Sequence, residues 1–192
     1  FSLEGGNVDG NTADVIKTGK YGTEVTPPLP KKDGNLFLGW KPVTPTHYPI
    51  ADANYKASWQ VIKYTVTFEV SGGNGSVKAV DEEGNIIKIS PITDVEHGKL
   101  LTFVANANAG FCVDKWTVEP STALQAGTGA DESESAKVVV NGETTVKVSF
   151  KTKTVTGPML REYIAGTVKF NVVDIQGGVA SLGVKGDKNN PL

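Results

Sequence analysis

At 192 residues and a formal net charge of -2, with Arg161 the one arginine among 19 basic residues, the chain lacks the guanidinium forks and basic stripe of a nucleic-acid binder. One cysteine and two histidines exclude an internal disulfide framework and a thiolate or imidazole metal cluster, so neither a metal nor a cofactor is expected. Twenty-two glycines, ten prolines and apolar runs rich in Val and Thr predict short strands between turns, and no run of about eighteen apolar residues offers a membrane span.

Phe1 already reads as part of a strand, and its standing in place of a methionine predicts a processed or excised piece. Asn7, Asp9, Asn11 and Asp14 follow with part of the spacing of a calcium loop. Thr12 occupies the position where such a loop needs glycine, so the stretch predicts Asx turns at a hairpin tip instead. Next come Tyr21-Gly22, three prolines, and Gly34-Asn35-Leu36-Phe37-Leu38-Gly39-Trp40. Gly39 is expected to let the backbone pass close to a neighbouring ring. In the Pro-rich loop beyond it, His47 and Tyr48 are the candidates for ligand contact, against the plainer reading of exposed loop decoration.

From residue 55 the pattern alternates strictly. Tyr55, Ala57 and Trp59 take turns with Lys56 and Ser58; Tyr64, Val66, Phe68 and Val70 with Thr65, Thr67 and Glu69; Val146, Val148 and Phe150 with Lys147 and Ser149. Period two puts one face of each strand on a core and the other in water. Gly72-Gly73-Asn74-Gly75, Glu83-Gly84-Asn85 and Asn141-Gly142 predict the positive φ angles of tight hairpins. No segment carries a long 3.6-residue period, so the fold class is mainly β: antiparallel hairpins with little helix.

The chain also repeats itself. An offset of 67 sets Phe1, Gly5 and Gly6 against Phe68, Gly72 and Gly73. An offset of 76 sets Tyr21-Gly22 on His97-Gly98, Gly34 on Gly110, Phe37 on Val113 and Trp40 on Trp116. An offset of 91 sets Lys56-Ala57-Ser58-Trp59 on Lys147-Val148-Ser149-Phe150. The drift places insertions of nine and fifteen residues in the second copy, where loops or hairpins are expected. Residues 1–60 form the first module, 61–151 the second, and 152–192 a linker plus either the start of a third repeat, at residues 168–172 and Gly177-Gly178, or a capping hairpin.

Residues 1–60, with Phe1-x-x-x-Gly5-Gly6, Tyr21-Gly22-x-x-Val25, the prolines, Gly34-x-x-Phe37-x-Gly39-Trp40 and a last strand closing on Trp59, resemble the Listeria-Bacteroides repeat, also called the internalin B-type B repeat. Residues 61–151 resemble a divergent form, with Lys115 in place of the glycine before tryptophan and Phe150 in place of the final tryptophan. The resemblance implies tandem β-grasp-like modules of bacterial surface or secreted proteins, acting as stalks and adhesive units without enzymatic activity. It also implies an extracellular or cell-surface location and host or matrix proteins or glycans as partners.

A module of about 60 residues buries so little surface that one aromatic ring fills much of its core. Phe37, Trp40, Trp59, Phe68, Trp116 and Phe150 are therefore expected as core pillars in preference to sugar-stacking platforms. Cys112, aligned with Leu36, is expected to be a small buried hydrophobe. Asp81-Glu82-Glu83 reads as a polar hairpin tip and residues 131–135 as a mobile acidic loop. Neither histidine lies near a nucleophile turn, and His97 aligns with Tyr21, which has no basic nitrogen; no catalytic centre is expected. The rival readings are a carbohydrate- or peptide-binding module, with Trp40, Tyr48 or a strand edge as its site, and an accessory region of a larger secreted enzyme.

Overall fold

The computed structural model describes residues 1–154, and within residues 163–184 the backbone of three strands. Most of the sequence-read linker at residues 152–166, and Gly177-Gly178 of the third start, lie outside the described residues.

The described protein is mainly β, with antiparallel pairing throughout its sheets except at one parallel pair. The first unit holds strands β1 (Asn35–Lys41) and β2 (Lys56–Val61). The second holds β3 (Lys63–Ser71), β4 (Gly75–Val80), β5 (Ile86–Ile87), β6 (Ile92–Glu96), β7 (Lys99–Ala107), β8 (Phe111–Glu119), β9 (Ser135–Val140) and β10 (Thr144–Thr152). A three-stranded antiparallel sheet follows, of β11 (Tyr163–Ala165), β12 (Val168–Gln176) and β13 (Val179–Val184). Helix among the described residues is a single 3-10 turn, Ser121–Ala123.

Two hydrophobic cores result. In the second unit the sheets β6-β3-β10-β8 and β5-β4-β7-β9 share one core, to which Val66, Phe68, Val113, Trp116, Val146 and Val148 contribute from the first sheet and Ala79, Leu101, Phe103, Ala105, Val138 and Val140 from the second. In the first unit Leu3, Trp40, Tyr55 and Ala57 are buried together, with Phe1, Val8, Val15, Phe37 and Trp59 packed around them. The alternating strands thus turn the faces read from the sequence inward: Val66 and Phe68 are buried, while Thr67 and Glu69 are exposed.

One pairing pattern occurs in both units. Phe37 faces Trp59 and Trp40 faces Ala57 across β1 and β2; Val113 faces Phe150 and Trp116 faces Val148 across β8 and β10. Each ladder slips by one residue at the same point, at Leu38 and at Asp114. Ser2 bridges Lys56 in parallel, as Glu69 pairs with Lys147 in parallel. Gly22 N–H donates to Tyr48 O at 3.0 Å, as Gly98 N–H donates to Val140 O at 2.8 Å. The nine extra residues of the second unit form the β4–β5 hairpin and its descent to β6. The fifteen lie between β8 and β9 and carry the 3-10 turn.

Three local expectations are corrected. Gly39 has open space where a Cβ would stand; its φ of +112° at the slip in the β1 ladder is what calls for glycine. Asn141-Gly142 has no positive φ, because β9 and β10 belong to different sheets and the link between them crosses the core instead of closing a hairpin. Cys112 is half-buried, with its Sγ 3.8 Å from Lys151 O at the end of the β8–β10 ladder.

Candidate functional site

The first unit carries a cleft of about 570 Å³ on its open side. Its walls are two loop segments, residues 15–19 with Tyr21 and residues 48–55 with Thr44 and Pro45, and Phe1 and Val25 complete the lining. Apolar side chains share the lining about equally with polar groups, Lys17 and Asp52 among them. Ile16 and Ile50 are 87% and 86% exposed and Tyr21 is 73% exposed, so the apolar surface extends beyond the walls. A concave surface that mixes apolar side chains with exposed polar groups suits a ligand with both an apolar face and hydrogen-bonding groups.

Tyr48 lies in this cleft and His47 outside it. The Tyr48 ring rests directly on Gly19, where any Cβ would collide with it, so the glycine fixes how closely the two walls approach. Tyr48 N–H donates to Thr23 O at 2.8 Å and its carbonyl accepts from Gly22, which anchors its backbone to the opposite wall. The exposed His47 ring shares a hydrogen bond of 2.8 Å with Thr46 Oγ1. The residues that sequence reading passed over are Ile16, Lys17, Ile50 and Asp52. Their signal was two exposed isoleucines in segments without strand alternation.

The aromatic residues sit as follows. Trp40 is 8% exposed and donates from its indole nitrogen to Pro28 O at 3.2 Å; Trp116, 7% exposed, donates to Ser133 O at 2.7 Å. Trp59 and Phe37 are half-buried with ring centroids 5.3 Å apart, and Trp59 donates to Leu3 O at 3.1 Å. Phe68 is buried against Phe103 at 5.6 Å, and the half-buried Phe150 covers Gly75.

The polar stretches are engaged in local structure. In the first, Asn7 Oδ1 accepts from Gly10 N–H at 3.1 Å, Asn11 Oδ1 from Ala13 N–H at 2.9 Å and Asp14 Oδ1 from Leu3 N–H at 3.3 Å. The first two are Asx-type closures, and the third ties the loop back to Leu3. Asp81 accepts from both the side chain and the backbone of Asn85, and that side-chain hydrogen bond foremost holds its carboxyl below the usual range. The loop expected to be mobile is tied down: Glu132 meets Lys151 at 2.6 Å, raising the lysine's pKa, and Ser133 O receives the Trp116 indole. His97 lies between the units, its Nε2 3.5 Å from Asp33 and its ring against Gly34.

Among the described residues no three His, Cys, Asp or Glu side chains converge on a point that could hold a metal ion, and no helix is long and apolar enough to cross a membrane. Fold and site together define a mainly β protein whose first unit presents a cleft of mixed apolar and polar lining. No protein-family model matches the chain, and no curated protein matches it. Among solved structures it is similar to a bacterial adhesin from Mobiluncus mulieris containing intramolecular disulfide, isopeptide and ester bond cross-links. The identity is 13% and the TM-score 0.35 over 71% of this chain, which spans 55% of that adhesin's length.

Proposed function

We propose that the chain is a non-catalytic repeat region of a bacterial cell-surface or secreted protein, in which two β-grasp-like units of the Listeria-Bacteroides type serve as adhesion and stalk modules. The observation that carries this reading is the pairing pattern shared by the two units, down to the slip at Leu38 and at Asp114. A unit used twice in series, with its insertions confined to one hairpin and one connection between strands, suits a spacer whose copies each present a surface. The partners are then host or matrix proteins or glycans, met outside the cell. The cleft beside Tyr48 favours a second, narrower reading, in which the first unit is a peptide- or carbohydrate-binding module.

Beads carrying the full chain, drawn under flow over surfaces coated with matrix proteins or glycans, test both. Retention on a coated surface is expected, and Tyr48→Ala is expected to shorten it. Retention on no surface overturns the adhesion reading, and retention indifferent to Tyr48 overturns the cleft as its site.

A further inference from the structure

β1 and β8 are both outer strands, and the second unit shields its outer edge where the first leaves it bare. β8 ends the sheet β6-β3-β10-β8, and its ladder with β10 slips at Asp114. The connection that follows β8 returns along this edge: Glu132 N–H donates to Asp114 O at 3.1 Å, and Ser133 O accepts from the Trp116 indole at 2.7 Å. Asp114 and Lys115 also place charge at the slip, and charge on an outer strand discourages pairing with another chain.

β1 is the outer strand of its pair, since Ser2 bridges β2 on the other side. Leu38 and Gly39 stand here in place of Asp114 and Lys115, and the fifteen extra residues are missing. Pro28 O accepts from the Trp40 indole at 3.2 Å, as Ser133 O does from Trp116. Pro27, Pro28 and Pro30 have no N–H to offer the strand, so nothing takes the part of Glu132. Among the described residues, the backbone of residues 36–41 exchanges hydrogen bonds with β2 and with no other segment.

The direction of the free groups follows from the ladder. Ile62 N–H donates to Gly34 O at 2.9 Å, which turns Gly34 and Leu36 towards β2 and Asn35 and Phe37 away from it. Asn35 N–H accordingly donates outward, to Lys32 O at 3.1 Å. Phe37 N–H and C=O therefore point off the open edge, and Leu38 O takes the place of the carbonyl that Glu132 meets in the second unit. Beside these groups Leu36 and Leu38 are each 55% exposed.

We propose that the open edge of β1 joins two copies of the chain, each adding its β1 antiparallel to the other about Phe37. At this register the two Phe37 residues exchange both backbone hydrogen bonds, and Leu36 lies across from the partner's Leu38 on the outer face. The exposed leucines of the two copies then cover one another on a continuous sheet. The same register brings the exposed Asp33 within one residue of the exposed Lys41 of the partner subunit, at both ends of the paired strands. An in-register parallel pair would instead set lysine against lysine and aspartate against aspartate. Neighbouring lysines do not oppose the antiparallel pair: Lys32 Nζ donates to Glu4 O at 3.0 Å, and Lys31 pairs with Asn7. This self-association is separate from the adhesion reading and does not depend on it.

Sedimentation equilibrium of the full chain over a concentration series tests it. A reversible dimer is expected, half-formed at about 0.05–1 mM, as suits a small transient interface. Leu38→Asp gives the first unit the charge that the second carries. It should weaken association at least about tenfold, because an unpaired carboxylate is desolvated against leucine, and should leave the melting curve unchanged, because the side chain is exposed. Lys41→Glu should weaken it by about threefold to tenfold, the scale of two exposed ion pairs, and adding Asp33→Lys should restore it. Amide exchange at Phe37 should slow as the dimer forms, while that at Leu36, already bonded to β2, should not change. A chain that stays monomeric at about 1 mM, a dimer indifferent to Leu38→Asp, charge reversal without rescue, or protection that bypasses Phe37 each overturns the proposal.

Discussion

Gly6 lies beneath the indole of Trp59, so close that a Cβ there would stand 2.5 Å from Cζ2 and about as near to backbone, at 3.0 Å from Lys31 O and 3.1 Å from Leu3 O. The ring has a little freedom to move; the two carbonyls have less. Gly6→Ala should therefore destabilise the first unit by about 1–3 kcal/mol, the scale of overpacking in a filled core. Combining it with Trp59→Leu should recover part of that loss, since the smaller side chain vacates the space. Chemical denaturation of the four proteins in the cycle gives the coupling, and strict additivity would show that the indole is not what excludes the methyl group.

Trp40 provides a sharper test of how the first unit is held together. Its ring is 8% exposed and packs against Phe1 at 4.9 Å and Phe37 at 5.4 Å between centroids. Trp40→Ala removes these contacts and the hydrogen bond to Pro28 O, at a cost of about 3–5 kcal/mol. That is comparable with the whole stability of a small unit. The first unit should unfold while the second, with a core of its own, keeps its transition. Calorimetry resolves the two, and an unshifted curve would return Trp40 to the role of a surface platform.

Asp81 supplies a pH dependence whose sign is set by the hydrogen bonds from Asn85. Its carboxyl titrates below 3.8 in the folded chain, so the stabilisation is present above that value and is lost as the pH falls through the folded pKa. The stability difference between wild type and Asp81→Ala should be constant from neutral pH down to about 4 and shrink below it. Urea unfolding at a series of pH values measures this. A difference that stays constant to pH 2, or grows, would contradict the assignment.

The strand faces were legible in the sequence because period two reports burial directly. Val66 and Phe68 turn inward as the alternation predicts. Alternation says which side of a strand meets a core; it does not say which strand lies next to it. The separation of β9 and β10 into two sheets was therefore hidden, and Asn141-Gly142 looked like a hairpin turn. Gly39 was misread for a related reason: a glycine needed for positive φ and one needed for close approach are the same letter. The cleft was the least legible feature. Its walls come from two loop segments, residues 15–21 and 44–55, that carry no period to read.

The joint between the units rests on Gly34 and His97. Gly34 has φ of +64°, a region that most side chains avoid, and a Cβ on it would run into the His97 ring. Its carbonyl accepts from Ile62 N–H at 2.9 Å, and Ile62 O accepts from His97 N–H at 2.9 Å, so one short chain of hydrogen bonds crosses the boundary. Gly34→Ala meets two separate costs: backbone strain of about 1–2 kcal/mol in the left-handed region and displacement of the imidazole. Adding His97→Ala should relieve the second and leave the first. The double variant is thus expected to regain part of the lost stability, and Gly34→Asn, which tolerates positive φ, should suffer chiefly from the collision. Domain motion can be followed by a pair of fluorophores, one in each unit: Gly34→Ala should broaden the distance distribution, and His97→Ala alone should broaden it less, because the backbone bonds remain. An unchanged distribution in Gly34→Ala would show that the units are held together by contacts other than this pair.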